Sequence, residues 1–134
     1  ALKKLFELRK SGRLILVFPT GTRYRPWDPS TGKGQKEIDS YIKSYDYMVL
    51  VAINGNTLRL DPNGNMDEDI PTHDIMMYTV SEVKKCRDYR ANALKDIKPD
   101  ENVKQHVVDK VMEDLKKLHN KTEQIRKPLL EKFK

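Results

Sequence analysis

Two uninterrupted apolar segments constrain the fold of this chain more than any other feature. Residues 14–18 read Leu-Ile-Leu-Val-Phe and are followed by Pro19, and residues 48–53 form the second segment. Short continuous apolar runs are typical of strands that are buried on both faces, as in a parallel sheet. Both are much shorter than the roughly 20 residues that cross a bilayer, so we expect no transmembrane helix.

The residues between these segments complete a βαβ unit. Residues 20–34 contain three Gly and two Pro and are predicted to form a long loop, of the kind that is usually functional in compact domains. Apolar residues at helical spacing then predict an amphipathic helix over residues 35–45: Ile38, Tyr41, Ile42 and Tyr45. We therefore predict an α/β fold, with a βαβ unit in a mixed, mainly parallel sheet flanked by helices.

Three turn or stop signals divide the rest of the first half of the chain: Ser11-Gly12, Asn54-Gly55 and residues 61–65. The first predicts that an N-terminal helix ends near Lys10. Residues 57–60, after the second signal, are a candidate short antiparallel strand. The third is typical of a surface turn, because it is rich in Asp, Asn, Pro and Gly.

The C-terminal part is predicted to be helical beyond Tyr78. Ser81 and Asp100 are candidate N-caps, and Pro99 is expected to separate two helices. Apolar residues line one side of the longer helix: Val103, Val107, Val111, Leu115 and Leu118. Pro128 is expected to limit or bend a third helix.

The net charge of +6 is unevenly distributed. Residues 1–60 contain 11 basic and 5 acidic residues, residues 61–80 contain 5 acidic and no basic ones, and residues 81–134 contain 15 basic and 10 acidic ones. We interpret the last part as solvated helix faces. The single cysteine, Cys86, excludes an intramolecular disulfide and a cysteine-rich zinc site, and a reducing compartment is the simplest assumption.

The candidate binding residues lie where the loop leaves the first predicted strand, which is the end at which open α/β sheets bind ligands. Gly21 lets the backbone approach a ligand closely, and Thr22 offers a hydroxyl. Arg23 and Arg25 offer planar pairs of donors that match phosphate oxygens. These residues indicate a site for a phosphate monoester. The alternative is an exposed turn with two ordinary surface arginines.

Lys33 lies between two glycines, but the segment is not a nucleotide-binding P-loop. That motif needs a Gly four residues ahead of the Gly-Lys pair and Ser or Thr after the Lys, and here Trp27 and Gly34 occupy these positions. Gly34 is instead expected to precede the helix over residues 35–45. The N-terminal N–H groups of that helix are expected to assist anion binding.

The loop and its neighbours resemble the glycerolipid acyltransferases. The segment at 18–23 reads Phe-Pro-Thr-Gly-Thr-Arg and is similar to the third conserved block of that family. The apolar run at 49–53 is similar to the fourth block. The most familiar third block has Glu in place of Thr20. Residues 21–31, Gly-Thr-Arg-Tyr-Arg-Pro-Trp-Asp-Pro-Ser-Thr, are more similar to the soluble plastid-type glycerol-3-phosphate acyltransferases, which have Arg-x-Arg-Pro and a nearby Asp-Pro-x-Thr. The resemblance covers roughly residues 1–55.

This resemblance implies transfer of a fatty acyl group from acyl carrier protein or acyl-coenzyme A to a hydroxyl of glycerol-3-phosphate in phospholipid biosynthesis. The acceptor 1-acylglycerol-3-phosphate is the alternative within the family. By the same resemblance Arg23 and Arg25 hold the phosphate, assisted by Lys33 or Lys36. No metal or redox cofactor is implied.

The resemblance also implies a domain organisation and a location. Residues 1–75 would be the C-terminal part of an α/β acyltransferase domain, and residues 76–134 a helical extension packed on it. The basic helices suit an acidic carrier protein or anionic lipid headgroups. The implied location is the cytoplasm or an organelle stroma, with peripheral contact to a membrane.

The catalytic base of that family is the His of an Asn-His-x-x-x-x-Asp motif. None of the three His of this chain has an Asp five positions later; the residues there are Tyr78, Val111 and Gln124. The blocks with the dyad lie upstream in the family. We therefore expect the chain to be a fragment without catalytic residues, and inactive alone.

Two other features are candidate reactive groups, and we interpret both as structural. His73 and Asp74 are a candidate acid–base pair, but adjacent side chains point in different directions. The basic neighbours of Cys86 are of the kind that lower a thiol pKa.

A different class of function, a non-enzymatic module that binds nucleic acid or another anion, is permitted by a pI of about 9.3. Because the helical part is also rich in acids and has no nucleic-acid motif, we expect no nucleic acid.

Overall fold

The computed structural model describes residues 2–133, which form four α-helices joined by short strands and turns. The helices are α1 (Leu2–Lys10), α2 (Ile38–Ser44), α3 (Cys86–Ala93) and α4 (Val103–Lys132). The strands are β1 (Tyr47–Met48), β2 (Val51–Asn54), β3 (Leu58–Arg59), β4 (Ile70–Pro71), β5 (Met77–Val80) and β6 (Lys84–Lys85). Short 3-10 helices cover Pro29–Gly32, Met66–Glu68 and Leu94–Asp96.

These elements belong to two compact units. Unit 1 contains the residues up to Val49 together with Val83–Glu113, and unit 2 contains Leu50–Glu82 together with the residues from Asp114 onward. The candidate loop lies in unit 1. The boundary between residues 75 and 76, which the resemblance implies for a larger domain, stays a prediction.

The strands form three two-stranded sheets, and every pairing in the described part of the chain is antiparallel. β1 pairs with β6, β2 with β5, and β3 with β4. The fold is therefore a mixture of helices and small antiparallel sheets, roughly α/β, and the prediction of a mainly parallel sheet is wrong. The second apolar run is divided between β1 and β2, which pair with different strands.

The first apolar run lies outside the helices and strands of the described residues. Leu14, Leu16 and Phe18 are 91%, 71% and 63% exposed, whereas Ile15 and Val17 are half-buried. The alternation follows from extended backbone, in which successive side chains point to opposite sides. The prediction of a strand buried on both faces is wrong here, because the structure covers only one side of the segment.

Unit 1 is built around α2, which packs against α1 and α3. Its buried apolar side chains come from all four helices: Leu5, Ile42, Cys86, Ala93, Val107, Val108 and Val111. Arg9 of α1 also donates to Asp46, just after α2, at 2.8 Å. The N-terminal helix ends at Lys10, as predicted.

Unit 2 combines the β2–β5 sheet with the C-terminal part of α4. Leu50 and Ala52 are buried, and the Thr122 hydroxyl donates to Leu118 O and accepts from the Thr79 hydroxyl, both at 2.8 Å. The turn predicted at residues 61–65 is confirmed, since the Asp61 carboxylate accepts two backbone N–H groups. The short strand expected at 57–60 is present as β3, but it pairs with β4, whereas β2 pairs with β5, so it does not form the expected hairpin with β2 across Asn54-Gly55.

The helical part begins later than predicted. Residues 77–80 and 84–85 are strands, and Ser81 is not an N-cap, because its hydroxyl accepts the Leu50 N–H at 2.9 Å and donates to a backbone carbonyl. At the start of α4 the N-cap bond is made by Asn102, which accepts the Gln105 N–H at 3.0 Å, and not by Asp100.

Pro99 lies between α3 and α4, as expected. Pro128 does not limit a helix, since α4 continues through it to Lys132. Within residues 2–133, no helix combines the length and the apolar character needed to cross a membrane.

Candidate functional site

The candidate loop is closed at its base by Gln35. The backbone N–H of Gln35 donates to Pro19 O at 2.9 Å, and its side-chain Nε2 donates to Thr20 O at 3.3 Å. A long surface segment whose two ends meet in this way is an Ω-loop, a class that is frequently functional. The residues that enter the loop therefore lie beside the residues that leave it.

The entrance to the loop is a tight turn at Gly21. Gly21 has φ +66°, a conformation in which a side chain is strained, and its N–H donates to Phe18 O at 3.0 Å. The Thr20 hydroxyl donates to Thr22 O at 2.6 Å. A glycine is thus required at this position by the backbone turn itself, in addition to the close approach to a ligand that the sequence suggested.

A second turn presents Arg25. The N–H of Asp28 donates to Arg25 O at 2.9 Å, and the N–H of Arg25 donates to the Thr31 hydroxyl at 2.8 Å. That hydroxyl in turn donates to Asp28 O at 2.7 Å. Because Thr31 is only 8% exposed, these bonds are shielded from water and hold the backbone of Arg25 in place.

A 3-10 helix, Pro29–Gly32, follows this turn. The Asp28 carboxylate caps it, accepting the Ser30 N–H at 3.2 Å and the Ser30 hydroxyl at 2.6 Å. Pro is favoured at the first position of a helix because its missing N–H is not needed there. The Asp28 carboxylate is therefore engaged within the turn.

The end of the loop packs on α4. A Cβ at Gly34 would lie 2.5 Å from Val108 Cγ1, so only glycine lets the backbone come this close. The side chain of Gln105 donates from Nε2 to Gly34 O at 3.1 Å. The loop is thus fixed at its exit to a buried part of the helix.

The six predicted site residues lie in this closed loop or next to its exit. Arg25 is half-buried, and the other five are exposed: Gly21, Thr22, Arg23, Lys33 and Lys36. Three closing residues were not predicted as part of the site: Asp28, Thr31 and Gln35. The signal that could have found two of them is the Asp-Pro-x-Thr spacing, since a Thr three residues after an Asp can bond back across a turn.

The expected contribution of a helix N-terminus is not supported. α2 begins at Ile38, three residues later than predicted, and it has only seven residues. Its N-cap residue is Glu37, which makes no side-chain capping bond and adds a negative charge at this end. The positive charge of the loop therefore comes from side chains.

Cys86 is not a reactive thiol. It is 1% exposed, and burial, together with the negative charge of Asp46, raises its pKa. A thiol with a raised pKa is a poor nucleophile near neutral pH. The suggestion that its basic neighbours lower the pKa is wrong. The structure favours the interpretation of Cys86 as a buried core residue.

His73 and Asp74 do not act as a pair. His73 is exposed, whereas the Asp74 carboxylate accepts hydrogen bonds from the Asn56 N–H at 2.6 Å and from Arg126. Burial works to raise the pKa of Asp74, but these hydrogen bonds and the Arg126 charge outweigh it and lower the pKa. Asp74 is therefore an ionised structural group of unit 2.

A polar cluster lies inside unit 2. The Glu123 carboxylate accepts from Arg126 Nε at 2.7 Å and Nη2 at 2.9 Å, and from Asn54 Nδ2 at 2.7 Å. The hydrogen bond from Arg126 is the main cause that lowers the pKa of Glu123 to about 2, and the bond from Asn54 adds to it. Asn54 is fully buried and also donates to His119 O at 3.0 Å. These bonds join β2 to α4.

Neither a metal site nor a known relative adds to this description. Among residues 2–133, no three His, Cys, Asp or Glu side chains are grouped so that they could hold a metal ion. Comparison with known protein families, with curated protein sequences and, as a fold, with solved structures gives no match. Function is therefore inferred from the residues of the loop.

Proposed function

We propose that this chain is the phosphate-binding part of an acyltransferase that acylates glycerol-3-phosphate. The observation that supports the proposal most strongly is the ordered loop that presents Arg25 from a hydrogen-bonded turn, with Arg23 two residues before it. An exposed turn with two ordinary surface arginines would need neither the buried hydroxyl of Thr31 nor a closed base.

A phosphate monoester suits this loop chemically. Guanidinium groups donate two parallel hydrogen bonds to phosphate oxygens, and charge-assisted bonds of this kind are about twice as strong as neutral ones. Arg25 is half-buried, so its charge is less screened by water than that of a fully exposed arginine. Lys33 and Lys36 are exposed near the loop exit and add positive potential that attracts a dianion.

The choice of an acyl acceptor rests on the resemblance of residues 18–31 to the third block of the glycerolipid acyltransferases. In this proposal Arg23 and Arg25 hold the phosphate at one end of glycerol-3-phosphate, so that a hydroxyl at the other end is oriented. The hydroxyl oxygen attacks the carbonyl carbon of an acyl thioester, a base takes the hydroxyl proton, and the thiol of the carrier leaves. The base is not assigned to any His of this chain.

The experiment is a titration of the chain with glycerol-3-phosphate, followed by phosphorus NMR, for the unsubstituted chain and for Arg23→Ala and Arg25→Ala. Each variant should bind about tenfold to a hundredfold more weakly, since a hydrogen bond to a charged group contributes about 1.5–3 kcal/mol. Arg87→Ala is the matched control: it removes the same charge from an exposed position on α3 and should leave the affinity unchanged.

Two results would contradict the proposal. One is an affinity for glycerol-3-phosphate that neither loop variant changes. The other is binding of RNA or DNA that depends steeply on salt and that glycerol-3-phosphate does not displace. That result would favour a nucleic-acid module instead. Glycerol without phosphate should not bind detectably, because it lacks the group that the arginines hold.

A further inference from the structure

We propose that Thr31 is a positioning residue for Arg25, and that its hydroxyl sets the affinity of the loop for a phosphate monoester without touching the ligand. The inference rests on the proposed function, since it assumes that Arg25 holds phosphate. It adds a residue to the site that lies six positions away in sequence and is buried beneath the turn.

The Thr31 hydroxyl makes two hydrogen bonds. It has one proton, which it donates to Asp28 O, and with its lone pairs it accepts the N–H of Arg25. The same two residues are also joined directly by the bond from the Asp28 N–H to Arg25 O. Thr31 therefore closes a ring of three hydrogen bonds around the backbone of Arg25.

Removing the hydroxyl would leave the Arg25 N–H without its partner, whereas Asp28 O would keep the bond from the Thr31 N–H. Because Thr31 is 8% exposed, water has little access to replace the lost bonds. An unsatisfied buried donor or acceptor costs about 1–3 kcal/mol, so the turn would relax to reach solvent. Relaxation moves the backbone of Arg25, and with it the direction in which the side chain leaves the loop.

Direction matters because guanidinium recognition is geometric. A two-point contact with phosphate needs the edge of the guanidinium, where its N–H groups point, to face the oxygens, and a fixed backbone lowers the entropy that the arginine loses on binding. The Asp28 carboxylate supports the same turn, since its Oδ1 accepts the N–H and the hydroxyl of Ser30.

The first test compares Thr31→Val, which has the same shape without a hydroxyl, with Thr31→Ser, which keeps the hydroxyl. Glycerol-3-phosphate should bind about tenfold more weakly to Thr31→Val, and Thr31→Ser should bind within about twofold of the unsubstituted chain. Thr122→Val is the matched control, because it removes a buried threonine hydroxyl from unit 2. It should lower stability and leave the affinity unchanged.

The second test asks whether Thr31 acts through Arg25. In an Arg25→Ala background, Thr31→Val should weaken binding no further, because the residue that it positions is gone. A loss of the same factor in both backgrounds would overturn the inference, since it would mean that Thr31 supports the loop in general. A large loss of affinity in Thr31→Ser, which keeps the hydroxyl, would also overturn the inference.

The outcomes separate this inference from the proposed function. If neither Arg23→Ala nor Arg25→Ala weakens the binding of glycerol-3-phosphate, the proposed function fails, and this inference fails with it. If Arg25→Ala weakens binding but Thr31→Val does not, only the positioning role fails. Should Thr31→Val not fold, amide exchange on the unsubstituted chain decides: saturating glycerol-3-phosphate should slow exchange of the Arg25 N–H severalfold, and unchanged exchange would overturn the inference.

Discussion

Arg90 contacts the fully buried carboxylate of Asp39 through two pairs of atoms, Nε to Oδ1 at 2.8 Å and Nη2 to Oδ2 at 3.3 Å. Lys43 adds a second cation, with Nζ 3.5 Å from Oδ2. Asp39 lies on α2, the helix that follows the candidate loop, and Arg90 lies on α3. The pair therefore joins the element next to the loop to the core of unit 1.

Removing the Asp39 carboxylate should destabilise the chain strongly. Asp39→Ala leaves the charge of Arg90 without its partner in a poorly solvated position, and breaking a buried pair in this way costs about 3–5 kcal/mol. The free energy of unfolding, from urea denaturation, is the measurement. Asp88→Asn, at an exposed position on α3, should cost less than about 0.5 kcal/mol. Equal losses for the two variants would contradict the prediction.

Glu123 should make stability depend on pH in the acid range. Hydrogen bonds from Arg126 and Asn54 lower its pKa from 4.5 to about 2. The stabilisation is therefore complete above pH 4.5 and is lost as the pH falls toward about 2. Glu123→Gln should lower the free energy of unfolding at pH 7 by about 1–3 kcal/mol and flatten its decline with acid.

The matched control for that prediction is Glu7→Gln, at an exposed position on α1. It should keep the decline of stability with falling pH that the unsubstituted chain shows. If Glu123→Gln and the unsubstituted chain lose stability in parallel between pH 5 and pH 2, the Arg126–Glu123 contact does not stabilise the fold as described.

The Cys86 thiol should react slowly while the chain is folded. Burial and the charge of Asp46 raise its pKa, and a reagent has little access to it. Reaction with a thiol-specific chromogenic disulfide at pH 8 should be at least about a hundredfold slower in the native chain than in denaturant. Asp88→Cys combined with Cys86→Ser puts a thiol on the exposed side of the same helix and should react quickly. Comparable native rates for the two thiols would contradict the prediction.

The sequence allowed prediction of those elements whose signal lies within a few neighbouring residues. The end of α1 at Lys10, the turn at 61–65 and the break at Pro99 are of this kind. Strand pairing was predicted wrongly because a continuous apolar run indicates burial and says nothing about which strand lies alongside. The division between β1 and β2 depends on Ser81, whose hydroxyl bonds to Leu50, 31 positions away.

The candidate site was predicted in part. Arg23 and Arg25 could be selected because residue type and spacing indicate the chemistry of a phosphate site directly. The bond from the Arg25 N–H to the Thr31 hydroxyl could not, because it depends on the path of the backbone between these two residues. The same applies to Asp39 and Arg90, which are 51 positions apart.

Gly34→Ala should destabilise the chain by overpacking the contact between the loop and α4. The added Cβ would lie 2.5 Å from Val108 Cγ1 and 2.9 Å from Met112 Cγ, closer than carbon atoms approach. Adding a methyl group to a packed site costs about 1–3 kcal/mol. In the double variant Gly34→Ala, Val108→Ala, the total loss should be smaller than the sum of the single losses, since the second change makes room. Additive losses in thermal unfolding would show that the contact is not tight.

Leu16→Lys should reduce self-association without a loss of stability. Leu16 lies in the extended segment 14–18, where apolar side chains are exposed beside backbone that pairs with no strand in the described part of the chain. Exposed apolar edges of this kind promote pairing between molecules, and a lysine in the edge opposes it. Scattering from associated molecules should therefore begin at a higher protein concentration for the variant, with a free energy of unfolding within about 0.5 kcal/mol of the unsubstituted chain.

Val17→Lys, at a half-buried position of the same segment, should instead lower stability. If Leu16→Lys lowered stability as much as Val17→Lys, the Leu16 side chain would be packed in solution, and the exposed edge would not be the cause of association.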